Sequence, residues 1–136
     1  MLQPIPMTPA APARPDLTPE ESAAAARAVV NLFRLWGLDD AEARACLGGL
    51  PARTWARWKT GATGRIDRDL ATRLSLFLGV HKALRGLFGT DSERVHGWMR
   101  RPNAAFGGRS ALAMVTEGQM LDLYRLRHYL DAERAG

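Results

Sequence analysis

The sequence predicts an all-α protein. Two observations carry that prediction: helix-start signals recur along the chain, and the apolar residues that follow them fall at steps of three and four until a glycine or proline intervenes. No segment has the polar-apolar alternation of a strand. Residues 1–17 stand apart, with Pro4, Pro6, Pro9, Pro12 and Pro15 set among alanines and almost no charge, a composition expected of a flexible Pro/Ala-rich arm. Thr18-Pro19-Glu20-Glu21 then combines an N-cap, a proline at the first helical position and a glutamate at the capping-box position. A first helix over 19–36 follows, with Ala26, Val29, Val30, Phe33 and Trp36 inward and Gly37 as its end. Asp39-Asp40-Ala41-Glu42 repeats the capping logic and opens a second helix over 40–47, which stops at Gly48-Gly49.

Leu50-Pro51 restarts the chain into a third helix over 51–60, ended by Gly61. A fourth begins near Asp67 and turns Leu70, Leu74, Phe77, Leu78, His81, Leu84, Leu87 and Phe88 inward, with Gly79 as a candidate kink. Thr90-Asp91-Ser92-Glu93 reads as a third capping box, opening a fifth helix that runs through Trp98 to about residue 100, where Pro102 forces a stop. Across residues 103–109 the chain turns on Asn103, which can bond its own backbone two residues on, and on Gly107-Gly108. Ser110 caps a short sixth helix, and the last helix starts near Gly118 with Met120, Leu121, Tyr124, Leu126 and Leu130 as candidate inner positions.

A chain of 136 residues with 46% hydrophobic content suits one compact domain or two small helical modules sharing a core. Lys and Arg number 19 against 14 Asp and Glu, and almost all of the cations are arginine, whose fork pairs with phosphate and carboxylate alike. Cys46 is the one cysteine, so a single chain can form neither an intramolecular disulfide nor a thiolate metal cage. Neither a signal-peptide pattern nor a membrane-length apolar run is visible, and a cytoplasmic location is the expectation.

The second and third helices, joined by Gly48-Gly49-Leu50, match the spacing of a helix-turn-helix. On the third, Trp55 and Trp58 can face the core while Arg53, Thr54 and Arg57 share another face that Lys59 extends, and these four are the candidate DNA-binding residues. Between residues 53 and 85 lie eight cations against two anions, and phosphate contact by such a patch yields affinity through counterion release. An amphipathic helix with a solvated basic face would show the same residues.

The run Leu50-Pro51-Ala52-Arg53-Thr54-Trp55-Ala56-Arg57-Trp58 resembles the recognition-helix region of Xre-like antitoxins. Further on, Leu87-Phe88-Gly89, Trp98, Pro102-Asn103, Gly107-Gly108, Ser110-Ala111-Leu112 and Gly118 before an amphipathic terminal helix are similar to the C-terminal toxin-binding domain of Xre/MbcA/ParS-type antitoxins. Ala111 stands where that pattern usually has proline, a change that the first helical position tolerates. The resemblance divides the chain into an arm over 1–17, an Xre-like helix-turn-helix domain over 18–66 and a toxin-binding domain over 67–136. It implies a cognate toxin, often an NAD-consuming protein of the RES-domain type, whose active site the antitoxin's C-terminal end covers. It also implies a homodimer and repression of the chain's own operon through operator DNA. The toxin contacts carried over are Arg125, Arg127, Tyr129, Asp131, Glu133, Arg134 and Gly136.

No catalytic, metal or cofactor site is expected. His81, His96 and His128 lack the short spacing of a metal motif, and His81 on an apolar stripe reads as a core or subunit-interface residue. Cys46 reads as an inert buried thiol, and Gly107-Gly108 has neither the preceding strand nor the Gly-Lys of a phosphate loop. The alternatives left open are a helix-turn-helix transcriptional regulator without a toxin partner and a helical interaction module that does not bind DNA.

Overall fold

The computed structural model describes residues 17–136, so the expected N-terminal arm lies outside the described residues except for Leu17. Its elements are α1 (Pro19–Leu35), α2 (Asp40–Cys46), α3 (Ala52–Lys59), α4 (Arg68–Phe88), α5 (Ser92–Gly97), α6 (Ala111–Val115) and α7 (Met120–Ala135). Single 3-10 turns, Trp98–Arg100 and Ala104–Phe106, lie between α5 and α6. The all-α expectation holds: among the described residues the one β feature is an isolated antiparallel bridge between Pro102 and Ser110.

Local chemistry sets the helix starts. Thr18 Oγ1 accepts from Glu21 N at 3.1 Å while Glu21 Oε1 accepts from Thr18 N at 2.9 Å, closing the capping box at α1. Asp39 and Glu42 do the same at α2, over 2.7 and 3.0 Å. Asp67 and Ser110 cap α4 and α6, accepting from Leu70 N and Ala113 N. The expected third box is not what opens α5: Asp91, not Thr90, is the N-cap, accepting from Arg94 N at 3.2 Å, and Arg94 rather than a glutamate stands at the third helical position. A carboxylate one position further on competes better for the orphan N–H groups than the threonine hydroxyl. The fifth helix is also shorter than expected, tightening to 3-10 geometry at Trp98.

α4 is the central helix, packed against α1, α5 and α7. Because it has neighbours on several sides, its buried positions include Val80 and Ala83 as well as Leu74, Phe77 and Leu84. The expected inner residues Leu70, Leu78, His81, Leu87 and Phe88 are half-buried instead. At the α1–α4 contact Phe33 meets Phe77 edge-on at 5.0 Å, with Trp36 and Trp55 adjoining. Edge-to-face aromatic packing adds about 0.5–1.5 kcal/mol per pair to the burial itself.

Gly79 does not kink α4, which runs unbroken through it. It serves a close approach from α7: an added Cβ would lie 2.7 Å from Nε of Arg127. Gly86 stands in the same relation to Arg134, again at 2.7 Å. Both pairs are spaced seven residues apart, so α7 lies alongside α4 in the same direction with the arginine guanidinium groups lying over the glycines. This register fixes which face of α7 is inward. Leu123, Leu126 and Leu130 are buried there, whereas the expected inner residues Leu121 and Tyr124 are 78% and 43% exposed.

Candidate DNA-binding and toxin-binding surfaces

α3 owes its orientation to its two tryptophans. Trp55 and Trp58 are buried three residues apart, their rings 6.4 Å from each other. Trp55 Nε1 donates to Asp40 Oδ1 at 2.9 Å and Trp58 Nε1 donates to the Thr63 carbonyl at 3.1 Å, so neither indole carries an unpaired donor into the core. The opposite face then points to solvent. Arg53 and Arg57 are exposed on it and Thr54 is half-buried. Among the described residues no hydrogen bond or ion pair reaches the Arg53 guanidinium. Lys59 is exposed too, but its ammonium sits 3.0 Å from both carboxylate oxygens of Asp40. Lys59, followed by Trp55, holds the Asp40 carboxyl below its ordinary pKa.

The turn before α3 is braced from behind. Gly48 and Gly49 have φ of +76° and +88°, a region that side chains strain to enter. Arg44 Nε donates to the Leu50 carbonyl at 2.7 Å across the turn. Arg73, counted with the basic patch in the sequence, proves to be buried: its guanidinium fills the space a Gly48 side chain would need, 3.0 Å from the Cβ position, and pairs with Asp69 at 3.2 Å. Sequence reasoning could not separate Arg73 from its surface neighbours, since the residue that receives it lies 25 positions earlier in the chain.

The C-terminal half is joined to α2 by Arg100. Its Nη2 donates to the Gly37 carbonyl at 2.6 Å and to Glu42 Oε1 at 2.9 Å, while Nη1 donates to Glu42 Oε2 at 3.2 Å. Glu42, the capping glutamate of α2, is held below its ordinary pKa first by Arg100 and then by the Asp39 backbone. This clasp was not foreseen in the sequence.

The residues between α5 and α6 form a folded loop. Asn103 Oδ1 accepts from Ala105 N at 2.9 Å, as expected, and Asn103 N donates to the Arg109 carbonyl at 3.0 Å. Asn103 itself is extended, and the left-handed positions are Gly107 and Gly108. Phe106 points back into an aromatic group with Tyr129 at 5.1 Å, and Trp98 stacks on Tyr129 at 6.4 Å. Trp98 is half-buried, unlike the other three tryptophans.

The expected toxin contacts on α7 therefore fall into two sets. Arg127 donates to the Gly79 carbonyl at 2.9 Å and to Asp131 at 3.0 Å, and Tyr129 belongs to the aromatic group, so these three hold α7 in place. Arg125 lies over the Phe106 ring at 5.8 Å yet remains exposed, as do Glu133, Arg134 and Gly136. Exposed Leu121 and Tyr124 join them on the surface.

Elsewhere, His81 and His96 stack at 6.1 Å between α4 and α5. Burial, then His96, then Arg85 push the His81 pKa below its ordinary value. Burial, with a smaller contribution from Glu42, pushes the Cys46 thiol up to about 12, which leaves it protonated and unreactive. Among the described residues no group of three or more His, Cys, Asp or Glu is arranged to hold a metal, and no helix is long and apolar enough to cross a membrane.

Residues 16–79 match the family model of the antitoxin Xre-like helix-turn-helix domain, and residues 83–136 match that of the antitoxin Xre/MbcA/ParS C-terminal toxin-binding domain. The chain belongs to the Xre/MbcA/ParS antitoxin family. The two matched segments meet within α4, so the central helix serves both domains of this antitoxin. The chain is also 39% identical over 128 residues to an uncharacterized protein, y4oB, of Sinorhizobium fredii, a match that covers 92% of this chain and 98% of that protein.

Proposed function

We propose that this family member is the antitoxin of a type II toxin-antitoxin system, acting without catalysis by masking a toxin and repressing its own operon. The observation that carries the proposal is the presence, in one chain, of both family domains with an outward surface on each. Arg53, Thr54 and Arg57 face solvent on the second helix of a helix-turn-helix and would contact operator DNA, Arg53 and Arg57 as phosphate or base contacts. Lys59 joins them by exchanging Asp40 for a phosphate. At the other end the terminal turn of α7, with Glu133, Arg134 and Gly136, is the part of the tail free to enter a toxin's active site. Arg127, Tyr129 and Asp131 support it from behind, and Arg125 borders it. The toxin is of the RES-domain, NAD-consuming type, and the antitoxin acts as a cytoplasmic homodimer.

Co-expression with the product of the adjacent reading frame tests the toxin part. The two proteins should elute together and NAD loss should cease; separate elution with an active toxin contradicts the reading and leaves a transcriptional regulator.

A further inference from the structure

The prolines that precede α1 are regularly spaced. Pro6, Pro9, Pro12 and Pro15 recur at every third residue, and a polyproline II helix makes one turn in three residues. In that conformation the four prolines share one edge, Thr8, Ala11, Arg14 and Leu17 a second, and Met7, Ala10, Ala13 and Asp16 the third. Leu17, where this arm joins the described residues, is half-buried against the core and lines a groove of about 510 Å³.

Both family domains build that groove. α4 contributes Ala71, Thr72 and Ser75, whose small side chains leave a furrow, while α1 contributes Ser22 and α7 contributes Tyr124. Ser22 is only 5% exposed, and neither its hydroxyl nor those of Ser75 and Tyr124 makes a hydrogen bond with the described residues. Three O–H donors around one furrow suit a ligand rich in acceptors and poor in donors. A polyproline II segment is such a ligand: its carbonyls take no internal hydrogen bonds, and Pro12 and Pro15 have no N–H to satisfy. The exposed Tyr124 ring supplies the aromatic face on which proline-rich segments dock.

Length and charge agree with that occupant. Residues 12–16 extend about 16 Å at 3.1 Å per residue, and the lining stretch of α4, Arg68 to Leu76, rises about 12 Å at 1.5 Å per residue. The side-chain charges of the arm, Arg14 and Asp16, meet a rim that carries Asp67 and Arg68. We propose that residues 12–16 lie in this groove as a polyproline II segment, with their proline edge against Tyr124. So seated, the chain's own arm touches α1 and α7 at once and straps the helix-turn-helix domain to the toxin-binding domain across α4, the helix that both share.

A nitroxide on the full chain reads this directly. Ala13→Cys places a thiol on the edge turned away from the groove, and Cys46 is buried, so the label goes to residue 13. In the NMR spectrum of the labelled chain the amide signals of Thr72, Ser75 and Tyr124 should be lost to broadening and return when the nitroxide is reduced. Pro12→Gly with Pro15→Gly, which loosens the arm without touching the folded body, should restore those signals, and so should Tyr124→Ala on the exposed side of α7. Broadening confined to the first turn of α1, or broadening at Ser75 that survives both variants, overturns the proposal. A mixture of labelled chain and isotope-enriched unlabelled chain separates the occupants: broadening carried from one chain to the other would seat the arm on a second copy and overturn the strap, whereas broadening within the labelled chain alone upholds it.

Discussion

α3 and α7 are both arginine-bearing helices, yet their arginines are placed for different work. On α3 the tryptophans occupy the inner face and Arg53 and Arg57 are left outward, with Asp40 engaged by Lys59 and Trp55. On α7 Arg127 crosses Gly79 and binds its carbonyl, Arg134 crosses Gly86, and Arg125 lies over Phe106. The difference comes from the neighbours. Where the missing Cβ of a packed glycine lets a planar head reach a main-chain acceptor, as Arg127 does at Gly79, the guanidinium becomes part of the fold. One beside solvent remains available for a partner. Positive charge alone therefore identifies no binding face here, and Arg73, buried under the Gly48 turn, is the clearest warning.

The largest effect should come from removing what orients α3. Trp58→Ala deletes a side chain that is 1% exposed and should cost about 3–5 kcal/mol in chemical unfolding. Tyr124→Ala, on the outer face of α7, should change the stability of the monomer by less than about 0.5 kcal/mol. A comparable cost at the two sites would erase the distinction between inner and outer faces. Arg127→Ala should cost about 1 kcal/mol, since it removes a hydrogen bond and a partly exposed ion pair. If its unfolding midpoint matches that of the parent chain, the glycine crossing contributes nothing to the fold.

The smallest effect concerns the seam between α4 and α5. His81 has a folded-state pKa below its ordinary 6.5, so its contribution to stability is complete above that value and is lost as pH falls through the folded pKa. Thermal unfolding should therefore occur earlier as the solution is acidified below about pH 6.5. His81→Phe should flatten that slope, and an unchanged slope would place its origin elsewhere.

What could be read in the sequence was local. Caps at Thr18, Asp39, Asp67 and Ser110 and the ends at Gly37 and Gly61 depend on residues within a few positions of each other, and the helix order follows from them. The face of α7 could not be read the same way. Met120, Leu121, Leu123, Tyr124, Leu126 and Leu130 spread apolar surface around more than half the helix, and the choice among them is made by glycines on α4 some fifty residues earlier. The outward position of Arg53 and Arg57 was legible because Trp55 and Trp58 leave one alternative. The internal use of Arg100 and Arg127 was not, since Gly37, Glu42 and Gly79 are distant in the chain.

The contrast between free and engaged arginines is tested most directly by titrating operator DNA at several salt concentrations against the parent chain, Arg53→Ala/Arg57→Ala and Arg127→Ala. The double variant should bind more weakly and its logarithmic salt slope should fall by roughly 2, one unit for each phosphate contact removed, with unfolding unchanged. Arg127→Ala should keep the parent slope and affinity while unfolding earlier. Unaltered binding by the double variant at low salt, or loss of DNA binding by Arg127→Ala at parental stability, would contradict the assignment of α3 as the DNA-reading surface.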